Sequence, residues 1–515
     1  MAGGLLAWRF QFLHQGIVWP LKLVSADWDF STLPAIYWDT ETPRWAWPHI
    51  SRSGDVCISD GEGLDYDPDN VKGVCSWTIN EALLILTKND ALTPQQRAIE
   101  FADELEGYLQ NLSVPKVFLD DLIDDESSLY AEVNYRKIGF TSMPFVKRIN
   151  TGTAILPNCR QETLERVDVD ICQLPAINGK IITKEWWEQL CVALTPDDSE
   201  RIKSTSCHGV FFRVKNSYGY AVFLIHWAKR YTNRPFGSVY LAQRRNVDYL
   251  VNRTGQTRVN KKVTIIGCGA VGSRVAEHLT LAAVTKLTLI DHDKLTIDNI
   301  GRHVLGKQFV GQHKTTALTT SLSDRLPGVE IVSIPENSGV GLTQEIINNS
   351  DAIVLATGNA PVERAIIRRA FKEKWQTLIV STSVEAGGLG GHAISMTPGI
   401  KGCLECLYID PDTLTQTPWM RTSLIKLGQK VTKQLTGCGS FTPYSSLDAT
   451  KTAIIAVELV LSASVGYKRW AGTGELALLS NIEPSDAHEL LLHNRIPTFL
   501  ESNAYAQEKC SCCNV

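Results

Sequence analysis

The sequence lacks the features that mark membrane proteins and nucleic-acid-binding proteins. No apolar run among its 515 residues approaches the roughly 18 residues that a membrane-spanning helix needs. Its 51 lysines and arginines are balanced by 55 aspartates and glutamates, and the formal net charge of −4 argues against direct nucleic-acid binding. Arg9, Gln11 and His14 interrupt the apolar N-terminal stretch, so we expect no signal peptide.

A disulfide framework is also missing, although the chain has 13 cysteines. The count is odd, and several cysteines lie in strand or glycine-turn contexts, as Cys268 does. We therefore expect a reducing, cytoplasmic environment with one metal site. The hydrophobic content of 44% and charged content of 21% are those of a folded soluble protein whose length predicts several domains.

The chain divides into three segments that differ in their residue types and in the secondary structure they predict. Residues 1–125 contain short aromatic-rich strands and a helix predicted over 94–112, with Thr93 as its cap. Residues 126–235 alternate short strands with polar turns, and we predict only a linking domain there. Residues 236–515 alternate strands with helices, which predicts a parallel α/β sheet.

A glycine-rich turn marks a nucleotide site at the start of this third segment. Gly267, Gly269 and Gly272 follow a β-branched strand over 263–266, and such glycines permit a tight turn and close approach of phosphate. Asp291 ends the next strand, where a carboxylate can accept hydrogen bonds from ribose hydroxyls. The glycines alone are equally compatible with an NAD-binding fold.

The polar residues after Asp291 favour ATP over NAD. Asn299, Arg302 and Lys314 follow the second strand, and two cations there suit a triphosphate whose pyrophosphate must leave. Taken singly, Arg302 or Lys314 would more often be a solvated surface charge.

These motifs together resemble the adenylation domain of ubiquitin-activating enzymes and their ThiF and MoeB relatives in thiamine and molybdopterin biosynthesis. The resemblance rests on Gly267-Cys-Gly269-Ala-Val-Gly272, Leu289-Ile-Asp291-His-Asp293, Asn299-Ile-Gly-Arg302-His303 and Val310-Gly311-Gln-His-Lys314. It implies a Rossmann-like fold in which ATP adenylates the C-terminal glycine of a protein partner. It also implies that Asp291 holds the ribose, that Arg302 and Lys314 hold phosphates, and that the chain forms a homodimer.

One departure from the family concerns magnesium. The family carries an aspartate for Mg²⁺ in a Thr-Asp-Asn turn, whereas this chain reads Thr357-Gly358-Asn359. We expect Mg²⁺ to be held instead by Asp291, Asp293 or the phosphates alone.

Two cysteine pairs predict a zinc site. Cys403 and Cys406 form one Cys-x-x-Cys pair, and Cys510 and Cys513 form another near the C-terminus. Four thiolates in two such pairs suit a closed tetrahedral Zn²⁺ site, and the family resemblance strengthens this prediction. Cys512 is an alternative to Cys513, and plain buried thiols are the alternative to a metal site.

Cys438 is the candidate acyl-accepting thiol. It lies between two glycines, before a helix predicted to begin near Ser446, where the pKa of a thiol can be lowered. The related enzymes carry at this place the thiol that takes the acyl group from the adenylate. A buried structural cysteine is the alternative.

A second motif near the N-terminus resembles the active-site segment of ubiquitin-conjugating enzymes. The stretch Trp47-Pro48-His49 through Gly54-Asp55-Val56-Cys57 places His49 where that family has asparagine and Cys57 where it has the catalytic cysteine. A histidine can donate a hydrogen bond to a tetrahedral oxyanion as the amide does. A pseudo-enzyme that retains the fold for partner binding is the alternative.

Taken together, the chain resembles the fused conjugating-activating enzymes of bacterial antiphage (CBASS) operons. That resemblance implies a protein ligase, acting as adenylyltransferase and thioester transferase. In that family the glycine-ended substrate is a cGAS-like nucleotidyltransferase, which is joined to an acceptor amine such as lysine.

Two other functions stay open at this point. One is an activating enzyme for a bacterial ubiquitin-like or sulfur-carrier protein, with residues 1–235 as an inactive docking region. The other is a nucleotide-binding scaffold without catalysis. The absence of the family's magnesium-binding aspartate favours this alternative.

Overall fold

The computed structural model describes most of the chain as two compact units, Met1–Arg245 and Asn246–Val515. The residues it describes are all except 1–5, 28, 40–46, 52, 59–63, 113, 120–127, 139–140, 149–158, 178–179, 204–206, 218, 227–236, 245–246, 327, 435–439 and 515. A further boundary near residue 125, inside the first unit, stays a prediction. In the described part of the chain no helix combines the length and the apolar character that a membrane crossing requires.

The first unit begins with an antiparallel sheet whose strands pair in chain order. Its strands and the helices that follow are β1 (Leu6–His14), β2 (Ile17–Ser25), β3 (Ala35–Trp38), β4 (Asp55–Val56), α1 (Val71–Ala91) and α2 (Pro94–Asn111). Alternate residues of β2, among them Trp19 and Leu21, pack against Ala82 and Leu86 of α1. The predicted helix after Thr93 is confirmed as α2, and Thr93 forms a capping box with Gln96.

A second sheet completes the first unit. Its elements are β5 (Lys116–Leu119), β6 (Ser128–Ile138), β7 (Thr141–Arg148), β8 (Cys159–Val169), β9 (Ile181–Ile182), α3 (Lys184–Ala193), α4 (Pro196–Lys203), β10 (Cys207–Asn216), β11 (Gly219–His226) and β12 (Gly237–Arg244). The strand order is β11-β10-β8-β6-β7-β5-β12-β9, and β11 also pairs with β12. Helix α2 packs on this sheet, since Leu105 and Leu109 share a buried cluster with Phe212 and Phe223.

The second unit is a mixed sheet with helices on both faces. Its strands are β13 (Val259–Ile266), β14 (Val284–Ile290), β15 (Glu330–Ile334), β16 (Ala352–Leu355), β17 (Leu378–Val384), β18 (Gly390–Met396), β19 (Lys433–Gln434), β20 (Ser440–Phe441), β21 (Gly466–Ala471) and β22 (Phe499–Glu501). Its helices are α5 (Val247–Asn252), α6 (Ala270–Leu281), α7 (Lys314–Arg325), α8 (Ser338–Gly341), α9 (Gln344–Asn348), α10 (Ala360–Glu373), α11 (Ser446–Ser462), α12 (Glu475–Leu479) and α13 (Asp486–Leu492).

The main sheet has the order β15-β14-β13-β16-β17-β18-β21-β22, and its first five strands are parallel. The two faces of β13 are both buried, because Val263 and Ile265 belong to one core cluster and Ile266 to another. Strands β13, β14 and β16 meet at the point where the order reverses, which is where parallel α/β sheets bind ligands. The predicted fold class is confirmed.

Candidate functional site

The glycine-rich turn connects β13 to α6 and packs closely against the end of β16. Gly267 has φ +89°, and a Cβ there would lie 2.6 Å from the carbonyl oxygen of Ala356. A Cβ on Gly272 would lie 1.8 Å from the carbonyl oxygen of Gly267, so only glycine lets the helix approach the strand. A Cβ on Gly269 would meet no atom within 4 Å, which leaves open space at the helix N-terminus. This is the geometry that a bound phosphate requires.

His303 stabilises the turn, a role that the sequence did not reveal. Its Nε2 lies 2.8 Å from the carbonyl oxygen of Cys268, and its Nδ1 accepts the backbone N–H of Leu305 at 3.1 Å. Because Nδ1 is an acceptor, Nε2 carries the hydrogen and donates it to Cys268. Burial is the main cause that lowers the pKa of His303 to about 4, so the ring is neutral at physiological pH.

Asp291 lies at the carboxyl end of β14, beside the turn. Its Oδ2 accepts the backbone N–H of Cys268 at 2.6 Å, and its Oδ1 accepts the N–H of Asp293 at 2.8 Å. These bonds fix a partly buried carboxylate beside the glycine turn. The contact of Asp291 with ribose stays a prediction.

Lys314 and Asp293 form an ion pair. The Lys314 Nζ lies 2.7 Å from Asp293 Oδ2, and the lysine is buried. The hydrogen bond from Lys314 is the main cause that lowers the pKa of Asp293. Asn299, another predicted site residue, accepts the N–H of Thr296 at 3.2 Å and so stabilises the loop between these residues and Arg302.

Arg302 lines a cavity next to the glycine turn. Its guanidinium donates to the carbonyl oxygen of Thr442 at 2.9 Å and lies over the Tyr444 ring at 4.4 Å from the centroid. Both contacts tie it to the segment just before α11. Helix α11 begins at Ser446, as predicted, and Ser445 caps it.

The cavity has a volume of about 450 Å³. It is bounded by the glycine turn, the ends of β16 and β17, and strands β18 and β21. Its lining includes Gly269, Arg302, Thr357, Gly358, Asn359, Glu363, Ser381, His392, Ile394, Leu404, Tyr408, Met420, Tyr444 and Tyr467. The lining therefore combines polar side chains with aromatic and aliphatic ones.

Three buried polar residues in this lining were missed by the sequence analysis. Glu363 accepts the Thr357 N–H at 3.0 Å and the Ser381 hydroxyl at 2.6 Å, and burial raises its pKa. His392 contacts the Tyr467 hydroxyl at 2.6 Å, and burial raises the pKa of Tyr467 to about 12. No local motif marks these positions, because they lie on α10, β18 and β21, which are separate elements of the chain.

A divalent cation could be held beside the turn. Asp291 and Asp293 each offer a carboxylate oxygen within the same small group of potential ligands. Mg²⁺ usually takes one or two carboxylates together with substrate phosphates, so this donor set fits it. Gly358 contributes no carboxylate, and a Cβ there would point into open space.

Four buried thiols form a second candidate metal site. The sulfurs of Cys403, Cys406, Cys510 and Cys513 all lie within 4.8 Å of one another. Cys403 Sγ is 3.6 Å from Cys510 Sγ, and Cys406 Sγ is 3.6 Å from Cys513 Sγ. Those separations are close to what four Zn–S bonds of about 2.3 Å in a tetrahedron require. The thiol set therefore fits a structural zinc that ties the C-terminal tail to the core.

Cys438, the predicted acyl acceptor, lies outside the described residues. The nearest described residues on its C-terminal side belong to β20. Its role therefore stays a prediction.

Cys57 lies at the end of β4 and is exposed. Its backbone N–H donates to the carbonyl oxygen of His49 at 2.8 Å. His49 has φ +62°, a left-handed conformation that is unusual for histidine. The preceding Pro48 accepts a hydrogen bond from the buried Asn89 Nδ2 at 2.7 Å. The two predicted active-site residues of this unit are thus joined through the backbone.

The His49 side chain lies against two carboxylates of α2. Its Nδ1 forms a short ion pair with Glu104, and its Nε2 lies 3.7 Å from Glu100. The hydrogen bond with Glu104 is the main cause that raises the pKa of His49. The spacing of Glu100 and Glu104, one helical turn apart, was visible in the sequence, but their contact with His49 was not.

Two family models match the chain. The ThiF family matches residues 243–484, and prokaryotic E2 family B matches residues 6–118.

Parts of the chain are similar in sequence to known proteins. An "ATP-dependent ubiquitin transferase-like protein Cap2" from Pseudomonas aeruginosa is 28% identical over 173 residues, covering 33% of this chain and 30% of the relative. A protein of the same name from Vibrio cholerae is 22% identical over 490 residues, covering 85% and 78%. The match to the solved structure of E. coli MccB with ATP covers 52% of this chain and 69% of that one, at 16% identity and with a TM-score of 0.34.

The chain thus matches under a third of the length of the Pseudomonas protein and more than three quarters of the length of the Vibrio protein. The predicted fusion of a conjugating-enzyme-like domain with an activating-enzyme-like domain is confirmed. The chain carries a prokaryotic E2 family B domain followed by a ThiF family domain.

Proposed function

We propose that the chain uses ATP to activate the C-terminal glycine of a protein partner and transfers it through two thioesters to an amine. The observation that carries the proposal is the cavity beside the glycine turn. It combines open space at the N-terminus of α6 with the Arg302 guanidinium. Such a site suits an anionic nucleotide and a carboxylate held together.

The first step makes an acyl-adenylate. The partner's carboxylate oxygen attacks the α-phosphorus of ATP, and the bond to pyrophosphate breaks. Helix amides at Gly269 and the cation of Arg302 stabilise the charge that develops on the phosphates. Lys314 is buried beside the same loop, where its ion pair with Asp293 holds it, and the family resemblance assigns it to the phosphates. Asp291 and Asp293 would hold Mg²⁺, which would supply further positive charge for the phosphates.

The second and third steps move the acyl group between sulfurs. The Cys438 thiolate attacks the activated carbonyl carbon, and AMP leaves. The Cys57 thiolate then attacks the new thioester and releases Cys438, an exchange that is nearly isoenergetic because one thioester replaces another. An amine finally attacks the Cys57 thioester and forms an amide, with His49 donating to the oxyanion.

The family resemblance supports a proposal for the partner and the setting. We propose a cGAS-like nucleotidyltransferase with a C-terminal glycine as partner, a lysine as acceptor, and a role in antiphage signalling. Homodimerisation through the adenylation domain, a cytoplasmic location and a structural zinc at the four cysteines belong to the same proposal.

The test uses the full chain, ATP, Mg²⁺ and a glycine-ended nucleotidyltransferase encoded beside it. We expect pyrophosphate release and a partner conjugate that forms only with Cys57 present. If Cys57→Ala forms conjugate as the unmodified chain does, the first unit is a docking region and the activating-enzyme alternative holds. If no pyrophosphate forms with any glycine-ended partner, including a β-grasp protein, the scaffold alternative holds.

A further inference from the structure

The strongest unassigned feature is a group of charged residues around His49. Helix α2 presents Glu100 and Glu104 on one face, one turn apart, and both lie against the imidazole. Helix α1 contributes Lys88, whose Nζ lies 2.7 Å from Glu100 Oε1. These are the charged groups that act on His49 from the two helices packed against it.

Glu104 holds His49 at two points. One carboxylate oxygen accepts the His49 backbone N–H at 2.7 Å, and the other pairs with the ring Nδ1. The backbone bond helps to hold the left-handed conformation of His49, whose carbonyl oxygen in turn accepts the N–H of Cys57 at 2.8 Å. A single carboxylate therefore sets both the backbone beside the cysteine and the orientation of the ring.

The same contacts decide which ring nitrogen can donate. Because Glu104 accepts from Nδ1, a neutral ring would carry its only hydrogen there, and Nε2 would be an acceptor. Only the doubly protonated ring has a hydrogen on Nε2. The nearest Glu100 oxygen lies 3.7 Å from Nε2, which is too long for a hydrogen bond. In the cationic form that hydrogen remains available to a substrate.

We propose that Glu104 is a positioning residue that keeps His49 doubly protonated, so that Nε2–H can donate to the oxyanion formed at the Cys57 thioester. This inference rests on the proposed function, in which Cys57 carries the acyl group. The donor exists below the pKa of His49 in the folded protein and is lost as pH rises through it. Glu104 and Glu100 raise that pKa, while burial and Lys88 lower it. Replacing Glu104 by a neutral residue must therefore move the loss of donation to lower pH.

The test bypasses the ATP-dependent steps. The full chain is charged at Cys57 by thiol exchange with a synthetic peptide that ends in a glycine thioester. Cys438→Ser and Cys172→Ser remove the competing Cys438 thiol and the exposed Cys172 thiol. Aminolysis by free lysine is then followed by mass spectrometry from pH 6 to 9. This range of about three pH units covers the loss of a proton from histidine. The variants are Glu104→Gln, Glu104→Asp and, as the matched control, Glu81→Gln on α1.

We expect Glu104→Gln to slow aminolysis about tenfold near neutral pH. We also expect the high-pH limb of its rate profile to move to lower pH. Glu104→Asp keeps the charge and should restore part of the rate, and Glu81→Gln should match the parent. NMR titration of histidine-labelled protein should show a lower pKa for His49 in Glu104→Gln, with its resonance assigned from His49→Asn.

Two results would overturn the proposal. One is a Glu104→Gln profile that equals the parent at every pH while the histidine titration also stays unchanged. The other is an equal loss of aminolysis rate in Glu104→Gln and Glu104→Asp, with no shift along the pH axis of either rate profile. That result would indicate that Glu104 has a structural role only. Neither result depends on adenylation, so a failure of ATP activation would be recognised separately by the absence of pyrophosphate release.

Discussion

The Nε2 of His303 donates to the carbonyl oxygen of Cys268, so a loop after β14 is joined directly to the glycine turn after β13. The two residues are buried, and the bond is 2.8 Å long. It orients the peptide that leads into Gly269, at the mouth of the proposed ATP site. The loop that carries Asn299 and Arg302 therefore sets the shape of the turn.

Replacing His303 by alanine should reduce both stability and ATP affinity. The change leaves the Cys268 carbonyl without its donor and creates a cavity, so we expect a loss of about 1–3 kcal/mol in the free energy of unfolding. Denaturant unfolding and calorimetric titration with ATP measure the two effects. Unchanged ATP affinity would show that the turn does not need this contact.

The pH dependence of stability should also change in His303→Ala. The pKa of His303 is lowered to about 4 in the folded protein, from an ordinary value of 6.5. The unfolded state therefore binds more protons between these values, and stability is lost as pH falls from 6.5 towards 4. We expect a shallower decline over this window in the variant, followed by thermal unfolding at several pH values. Parallel curves for both proteins would contradict this assignment.

Two glycine substitutions should separate folding from phosphate binding. Gly272→Ala places a Cβ against the Gly267 carbonyl, and we expect it to destabilise the protein by about 1–3 kcal/mol. Gly269→Ala meets open space in the structure, so it should fold normally but weaken ATP binding, since the methyl group enters the proposed phosphate position. Thermal unfolding and ATP titration test this pair. Equal ATP affinity in Gly269→Ala and the parent would place the phosphates elsewhere.

The four clustered cysteines should hold one zinc ion per chain. We expect Cys406→Ser and Cys510→Ser to lose zinc and to unfold at lower temperature, because the C-terminal tail would lose its attachment. Elemental analysis of the purified protein gives the metal content. Cys512 is buried outside the cluster of four, and Cys512→Ser is the control that should retain zinc. Full zinc content in Cys510→Ser would contradict the assignment.

Features encoded locally were predictable from the sequence. The β-branched strand before Gly267, the helix cap at Thr93 and the start of α11 at Ser446 depend on neighbouring residues, and each lies where it was predicted. The pairs at Cys403 and Cys510 were recognisable because the Cys-x-x-Cys spacing is itself a ligand pattern.

The rest of the site depends on contacts between distant residues. Glu104 lies 55 positions from His49, and His392 contacts Tyr467 across 75 positions. Glu363 carries no motif, and only the fold shows that its buried carboxylate accepts the Ser381 hydroxyl, 18 positions away. Such partners are set by strand order and helix packing, which a single sequence does not specify.

The most direct test of the proposed thiol relay is mass spectrometry of the chain after incubation with ATP, Mg²⁺ and a glycine-ended nucleotidyltransferase. The parent, Cys57→Ala and Cys438→Ala are compared under non-reducing conditions. We predict that Cys57→Ala accumulates the partner on Cys438, and that Cys438→Ala releases pyrophosphate but leaves Cys57 uncharged. Charging of Cys57 in Cys438→Ala at the parent's rate, or unmodified sulfurs in all three proteins without pyrophosphate release, would contradict the account.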